Sequence, residues 1–308
     1  MNKRCIGCGL LLQDQDELEP GYTPNLKNDY CKRCFRLKNY GEKNEETVNE
    51  ENILKKVNKG EGLAFFLVDF LNLNQESISI FNKIKLKKFL VISKSDTLRK
   101  EMKKEKIKKW IKNGYKIEED ILFISNKSYY ESSNIWKVMD KYNTKKAYIM
   151  GITNAGKSTF LNELLKENHI KKEILMSNKP NTTLDFIKIK IGEYTLFDTP
   201  GFSYENDKLP IITKEIKPIT YQIKENTTII IDKYHFYFDK KNKITFYGTT
   251  NITRKYKKVE GKYNRKVPAN SDIVLPGIGF LNIKEECQVW TNKDNLEIRL
   301  DVSGEEDE

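Results

Sequence analysis

Gly151-Ile152-Thr153-Asn154-Ala155-Gly156-Lys157-Ser158 decides how this 308-residue chain is read. Glycines at 151 and 156 let a backbone close around phosphate oxygens, whose charge then meets amide hydrogens. Tyr148-Ile149-Met150 before it reads as a strand and residues 159–166 after it as a helix, so the loop would open onto a helix N-terminus. In that setting Lys157 would bridge the terminal phosphates and the Ser158 hydroxyl would ligate magnesium. Thr153, Asn154, Ala155, Gly156, Lys157, Ser158 and Thr159 are the candidate phosphate-side residues.

Further along stand Thr182-Thr183 and Asp198-Thr199-Pro200-Gly201. Asp198 ends an alternating run, residues 194–197, and would hold magnesium through water. The Gly201 amide would meet the terminal phosphate. Thr183 would cover the metal, with Thr182 the second candidate; a plain turn threonine is the other reading. Ahead of the phosphate loop lies Ser93-Lys94-Ser95-Asp96. A carboxylate at Asp96 can accept hydrogen bonds from guanine N1 and N2, donors that adenine lacks, and Lys94 would lay its stem along the base. Ser125-Asn126-Lys127 offers a second base-side loop, in which Ser125 and Asn126 would close the pocket, or else a simple strand-end turn. An ordinary GTPase carries its base-reading motif well after the phosphate loop. The same cycle cut at another point resembles a circularly permuted GTPase.

The runs between these motifs support an α/β domain. Residues 63–68 are a short continuous apolar stretch ending in Asp69, as a strand buried on both faces would be. Residues 88–92, 121–125 and 146–150 repeat it, with helical stretches at 99–112 and 131–142 between them. Such alternation argues for a mostly parallel sheet flanked by helices. After Gly201 the pattern changes to short β-like runs at 227–231, 235–238, 244–247, 273–275, 279–283 and 296–300. The expected division is a small treble-clef-like zinc module over 1–42, a permuted P-loop GTPase domain over 50–207, and a mainly β domain over 210–308.

Four of the five cysteines form two tight pairs, Cys5-x-x-Cys8 and Cys31-x-x-Cys34. A segment of about forty residues with few large apolar side chains folds poorly unaided, and tetrahedral thiolate coordination of zinc supplies folding energy of order 10 kcal/mol. A redox role would need one such pair beside a βαβ pattern. Cys287, alone in an apolar segment, reads as a small buried hydrophobe.

Net charge is +11, which favours anionic partners, nucleic acid first, although Lys is abundant throughout. Residues 254–258 with Lys262, Tyr263, Arg265 and Lys266 interleave tyrosines and cations, a pattern suited to phosphate contact and base stacking or to a solvated hairpin. The Lys-rich stretch 99–112 reads as a wet helix face, and 305–308 as a solvated acidic tail. No apolar stretch approaches the ~20 residues of a membrane helix, and the first residues lead into no apolar signal core. The expectation is a cytoplasmic protein without membrane contact.

With zinc pairs in front, permuted motifs behind them and a β-rich end, the chain resembles the YqeH family of circularly permuted GTPases. Residues 153–162, Thr182-Thr183-Leu184-Asp185, residues 214–218 and 272–279 carry that likeness. The resemblance implies GTP hydrolysis coupled to assembly of the small ribosomal subunit, with rRNA or a pre-ribosomal particle as partner; off the ribosome a monomer is expected. Phe202 stands where many GTPases place a water-orienting Gln. Relatives with a hydrophobic residue there use a potassium ion held partly by the phosphate-loop Asn, here Asn154, so slow, potassium-stimulated hydrolysis is expected, with Asn154, Lys157 and Thr183 catalytic. Ser93 replaces the usual Asn, Asn181 the usual Gly, and the stretch from 201 to 210 is short. A nucleotide-gated RNA scaffold with negligible hydrolysis is the alternative.

Overall fold

The computed structural model describes residues 3–17, 21–32, 34–35, 50–97, 103–125, 133–169, 186–203, 217–248, 250, 252–259 and 261–301. The chain folds into two compact units, each discontinuous in sequence. The first comprises residues 1–69, 79–96 and 119–205; the second 70–78, 97–118 and 206–308. Described helices are α1 (Glu50–Asn58), α2 (Gln75–Asn82), α3 (Lys104–Tyr115), α4 (Asn134–Lys141) and α5 (Lys157–Glu167).

The first unit is organised by a six-stranded sheet of β1 (Leu63–Asp69), β2 (Lys87–Ser93), β3 (Ile121–Phe123), β4 (Lys146–Gly151), β5 (Ile187–Ile191) and β6 (Tyr194–Asp198). Its order is β3-β2-β1-β4-β6-β5, parallel throughout except for the β5–β6 hairpin at one edge. Every residue of β1 is buried, the signature of a central strand covered on both faces. The chain steps from β1 outward to β2 and β3, then returns to place β4 on the other side of β1. Strand direction of travel reverses at that β1/β4 boundary, where open α/β sheets leave a crevice beyond the carboxyl ends of their strands.

The N-terminal part of this unit is built around the cysteines rather than around regular strands. Arg4 and Leu11 bridge antiparallel, and the Gly9 amide donates to the Cys5 carbonyl at 3.0 Å, closing a tight turn. Gly9 holds φ 81°, a left-handed conformation that glycine adopts at little cost. The hydrophobic side chains that pack with the four buried cysteines, among the described residues, are Leu12, Leu10 and Tyr30.

The second unit carries β7 (Ile219–Ile223), β8 (Thr227–Ile231), β9 (Tyr234–Phe238), β10 (Asn242–Gly248), β11 (Ile252–Lys255), β12 (Tyr263–Val267), β13 (Ser271–Leu275), β14 (Gly279–Ile283), β15 (Cys287–Thr291) and β16 (Ile298–Leu300). They form two antiparallel five-stranded sheets, β16-β13-β14-β10-β7 and β11-β8-β9-β15-β12. One apolar core draws Ile244, Phe246, Ile273 and Leu281 from the first sheet and Ile229, Phe236, Phe238 and Val289 from the second, so the sheets pack face to face. Cys287 lies in this core, and burial pushes its thiol up to about 11.

Helix α3 belongs to the same unit. It begins at Lys104, and residues 98–102 lie outside the described set. Its lysines are half-buried, with Lys109 exposed, and Ile107, Trp110, Ile111 and Tyr115 form a buried stripe at helical spacing. Trp110 Nε1 donates to the Leu300 carbonyl at 2.8 Å. One Arg299 nitrogen donates both to the Leu73 carbonyl at 2.6 Å and to Tyr115 Oη at 2.7 Å. The Arg299 guanidinium also lies over the Trp110 and Phe280 rings.

Candidate nucleotide site

The loops after β1, β2, β3, β4 and β6 all leave the same edge of the first unit's sheet, because those strands run parallel. The phosphate loop follows β4 and the Asp96 loop follows β2, with only β1 between them. Strand spacing sets the two about 10 Å apart across the edge, a span that one mononucleotide bridges.

The phosphate loop has the backbone that its glycines foreshadow. Gly151 (φ 139°), Asn154 (φ 64°) and Gly156 (φ 89°) are left-handed, and Gly156 caps α5. A Cβ on Gly151 would sit 2.0 Å from the Leu67 carbonyl oxygen, so only glycine lets β4 lie this close to β1. Lys157 Nζ is buried and donates to the Gly151 and Ile152 carbonyls at 3.1 and 3.2 Å. Burial pushes Lys157 down to about 8, against the opposing pull of Asp198. Burial likewise pushes Asp198 up to about 7, opposed by Lys157. Both Asp198 carboxylate oxygens are buried with no hydrogen-bond partner among the described residues. A carboxylate left bare in this way fits a hydrated divalent cation, and a lysine held in the same pocket fits phosphate oxygens. GTP or GDP with magnesium, which the family implies, suits this donor set.

Asp198-Thr199-Pro200-Gly201 is sewn to the phosphate loop. The Thr153 amide donates to the Phe202 carbonyl at 2.7 Å, and the Phe202 amide donates to the Gly151 carbonyl at 3.1 Å. Thr153 Oγ1 and Ser203 Oγ lie 2.9 Å apart. A Cβ on Gly201 would stand 2.9 Å from Thr153 Oγ1 and 3.0 Å from Lys157 Nζ, so Gly201 is pressed against the loop. Ser158 and Thr159 are half-buried at the start of α5.

On the base side, Ser125 Oγ donates to Asp96 Oδ1 at 3.1 Å, tying the loops after β3 and β2 together. The Ser95 amide donates to the Ile124 carbonyl at 3.0 Å. Lys94 is left-handed (φ 53°), and its Nζ lies 3.4 Å from Asp69 Oδ2 at the end of β1. Ser93 Oγ is buried with no hydrogen-bond partner among the described residues. Asn126 and Thr183, along with Thr182, Asn181 and the 204–216 segment, lie outside the described residues.

Two participants escaped the sequence reading. Asp69 was legible only as the polar end of an apolar run, and Ser203 gave no signal. Phe202 is fully buried with its ring centroid 6.0 Å from that of Phe66, so it serves the core while its backbone serves the loop.

At the N-terminus, the Sγ atoms of Cys5, Cys8, Cys31 and Cys34 all lie within 4.8 Å of one another, and those of Cys8 and Cys31 are 3.7 Å apart. A tetrahedron with Zn–S of about 2.3 Å has S–S edges of about 3.8 Å. The Cys31 amide donates to Cys5 Sγ at 3.2 Å, and the Cys34 amide to Cys31 Sγ at 3.4 Å, contacts that favour thiolates. The cluster fits Zn²⁺.

The RsgA GTPase family matches residues 71–206, and the family described as 50S ribosome-binding GTPase matches residues 146–276. With the sheet edge just described, these matches define a P-loop GTPase whose motifs run in permuted order. YqeH of Bacillus subtilis strain 168, itself described as uncharacterized, is 33% identical over 251 residues, 73% of this chain and 69% of that protein. The chain belongs to the YqeH family. GTPase Der of Buchnera aphidicola is 29% identical over 252 residues, covering 69% of this chain and 54% of Der. The yeast mitochondrial genetic interactor of prohibitins 3 is 25% identical over 296 residues, covering 67% of this chain and 52% of that protein. No described helix is long and apolar enough to cross a membrane.

Proposed function

We propose that the protein binds GTP at the carboxyl edge of the β3-β2-β1-β4-β6-β5 sheet, hydrolyses it slowly, and uses the cycle in ribosome assembly. The observation that carries this reading is the shared burial of Lys157 and the bare Asp198 carboxylate, with β1 alone between the loop of Lys157 and the tied Asp96–Ser125 loops. In this reading Thr153, Asn154, Ala155, Gly156, Lys157, Ser158 and Thr159 hold the phosphates, and the Gly201 amide meets the last of them. Ser158, Thr183 and Asp198 hold magnesium. Lys94, Asp96, Ser125 and Asn126 receive guanine. Cys5, Cys8, Cys31 and Cys34 hold zinc.

A cation on the transferring phosphoryl group lowers the barrier by offsetting charge that develops there. The buried Phe202 offers no polar group to a water, which favours supply of that charge by potassium beside Asn154. The same burial favours the second reading, a nucleotide-gated RNA scaffold with negligible hydrolysis. The division into 1–42, 50–207 and 210–308 belongs to this proposal, with the last segment meeting rRNA, and so do a cytoplasmic location and a monomeric state off the ribosome.

The family likeness points to the small subunit, whereas one matching family's description names the 50S particle. Multiple-turnover phosphate release should therefore be measured in potassium and in sodium, with each purified subunit and with none. Faster turnover in potassium and with small subunits supports the proposal. Tight GTP binding without turnover under any condition selects the scaffold, and stimulation by large subunits alone moves the partner.

A further inference from the structure

The outer face of the second unit's β11-β8-β9-β15-β12 sheet carries an aromatic platform that the basic segments alone do not reveal. Side chains alternate across this sheet, and the core takes Ile229, Ile231, Phe236, Phe238, Val267 and Val289. The opposite phase forms one transverse row in direct register: Lys255 faces Thr228, Thr228 faces Tyr237, Tyr237 faces Trp290, and Trp290 faces Asn264. At the middle of the row the Tyr237 and Trp290 rings lie 5.5 Å apart. Tyr237 is fixed by its hydroxyl, which donates to Asn226 Oδ1 at 2.6 Å.

A lysine is delivered onto this pair by the backbone. Thr228 Oγ1 donates to the Lys257 carbonyl at 2.7 Å and accepts the Val259 amide at 3.2 Å. The residue pinned between those bonds, Lys258, has its ammonium 5.7 Å from the Tyr237 ring centre and 5.8 Å from that of Trp290. Lys255 and Lys266 stand exposed on the outer strands of the same sheet. Exposed cations around a half-buried indole match an anionic polymer whose units have flat faces.

We infer that this face binds single-stranded RNA, with an unpaired base stacked on Trp290 and its phosphate held by Lys258. The inference deepens the proposed RNA role and rests on it. Lys258 would exchange its ring contact for the phosphate, so the protein side of the site is already ordered. Stacking accepts any base, because every base has a π-face, whereas a duplex hides its bases from such a platform. Tyr256, the most exposed aromatic of the basic run, is not in the row.

The test uses the full zinc-loaded chain and a fluorescent single-stranded oligouridylate, with affinity read by anisotropy across a salt series. Trp290→Ala should weaken binding about tenfold or more, Trp290→Phe should retain most of it, and Lys258→Ala should lower the salt slope by about one. GDP binding by each variant reports that the fold survives. A duplex of equal length should bind weakly and respond little to Trp290→Ala. Unaltered oligouridylate binding by a Trp290→Ala protein that still binds GDP overturns the inference, and so does equal competition by polyglutamate. Binding of ribosomal subunits without any binding of oligouridylate overturns this site alone and leaves the ribosomal reading standing.

Discussion

The Phe202 side chain and the Phe66 ring share the core of the first unit, while the Phe202 carbonyl accepts the Thr153 amide of the phosphate loop at 2.7 Å. One residue thus anchors the Asp-x-x-Gly turn below and shapes the nucleotide loop above. Restoring a glutamine at this position should not create a water-orienting group, because the side chain has no path out of the core. Phe202→Gln is expected to lower stability by about 3 kcal/mol or more. Single-turnover hydrolysis should not accelerate. Thermal unfolding with and without GDP, beside a quenched-flow time course, checks both, and a faster variant would sink the idea.

Ser93 carries a buried hydroxyl with no hydrogen-bond partner among the described residues. Replacing an unsatisfied polar group by a methyl removes a desolvation penalty, so Ser93→Ala should leave stability unchanged or raise it by up to about 1 kcal/mol. Ser93→Asn restores the longer side chain common in related loops and should tighten GDP binding. Chemical denaturation and GDP titration measure these effects; a clear loss of stability in Ser93→Ala would reveal a hydrogen bond that the geometry lacks.

Asp96 is held by Ser125 Oγ at 3.1 Å, which fixes the orientation of its carboxylate. Asp96→Asn replaces an acceptor by a donor opposite the guanine N2 amino group and should weaken GDP about tenfold to a hundredfold. Xanthosine diphosphate, whose ring edge accepts where guanine donates, should gain relative to GDP. A calorimetric comparison of GDP, ADP and xanthosine diphosphate would falsify the base-pocket assignment if the order were unchanged.

Asp272 of β13 is buried beside Arg299, with Asn282 Nδ2 donating to it at 2.9 Å. Burial pushes its carboxyl up to about 6, Arg299 and Asn282 opposing. The native state therefore holds a proton that the unfolded chain, with a carboxyl near 3.8, has released. Its contribution to stability is complete below that value and is lost as pH rises through about 6. Denaturation midpoints between pH 4 and 7 should fall with this slope, and Asp272→Asn should flatten it. An identical slope in the variant would assign the titration elsewhere.

Much of this was readable because phosphate loops and zinc pairs are local patterns. Gly151, Gly156 and Lys157 lie in one contiguous stretch of backbone, and four cysteines at fixed spacing mark the cluster that the structure gathers. The strands expected at 63–68 and 88–92 were legible because burial on both faces removes the polar alternation. What stayed hidden depends on pairing between distant segments. Tyr237 and Trp290 become neighbours only through the register of β9 with β15, which no local pattern encodes. Strands β7, β11 and β12 were missed because their outward residues are polar or charged, as Lys255 is in β11. Trp110 and Tyr115 sat unnoticed in a lysine-rich stretch whose minority residues form the buried stripe.

The chain crosses between its two compact units five times. Asp69, which meets Lys94, and Asp96 are each the last residue before such a crossing, and the segments they lead into contain Leu73, Trp110 and Tyr115, the partners of the final β-strand. No single cut of the gene can therefore yield both units whole. A fragment ending near residue 205 keeps every phosphate-loop residue yet strips the cover from an indole and a phenol, and it should precipitate where the intact polypeptide stays dissolved.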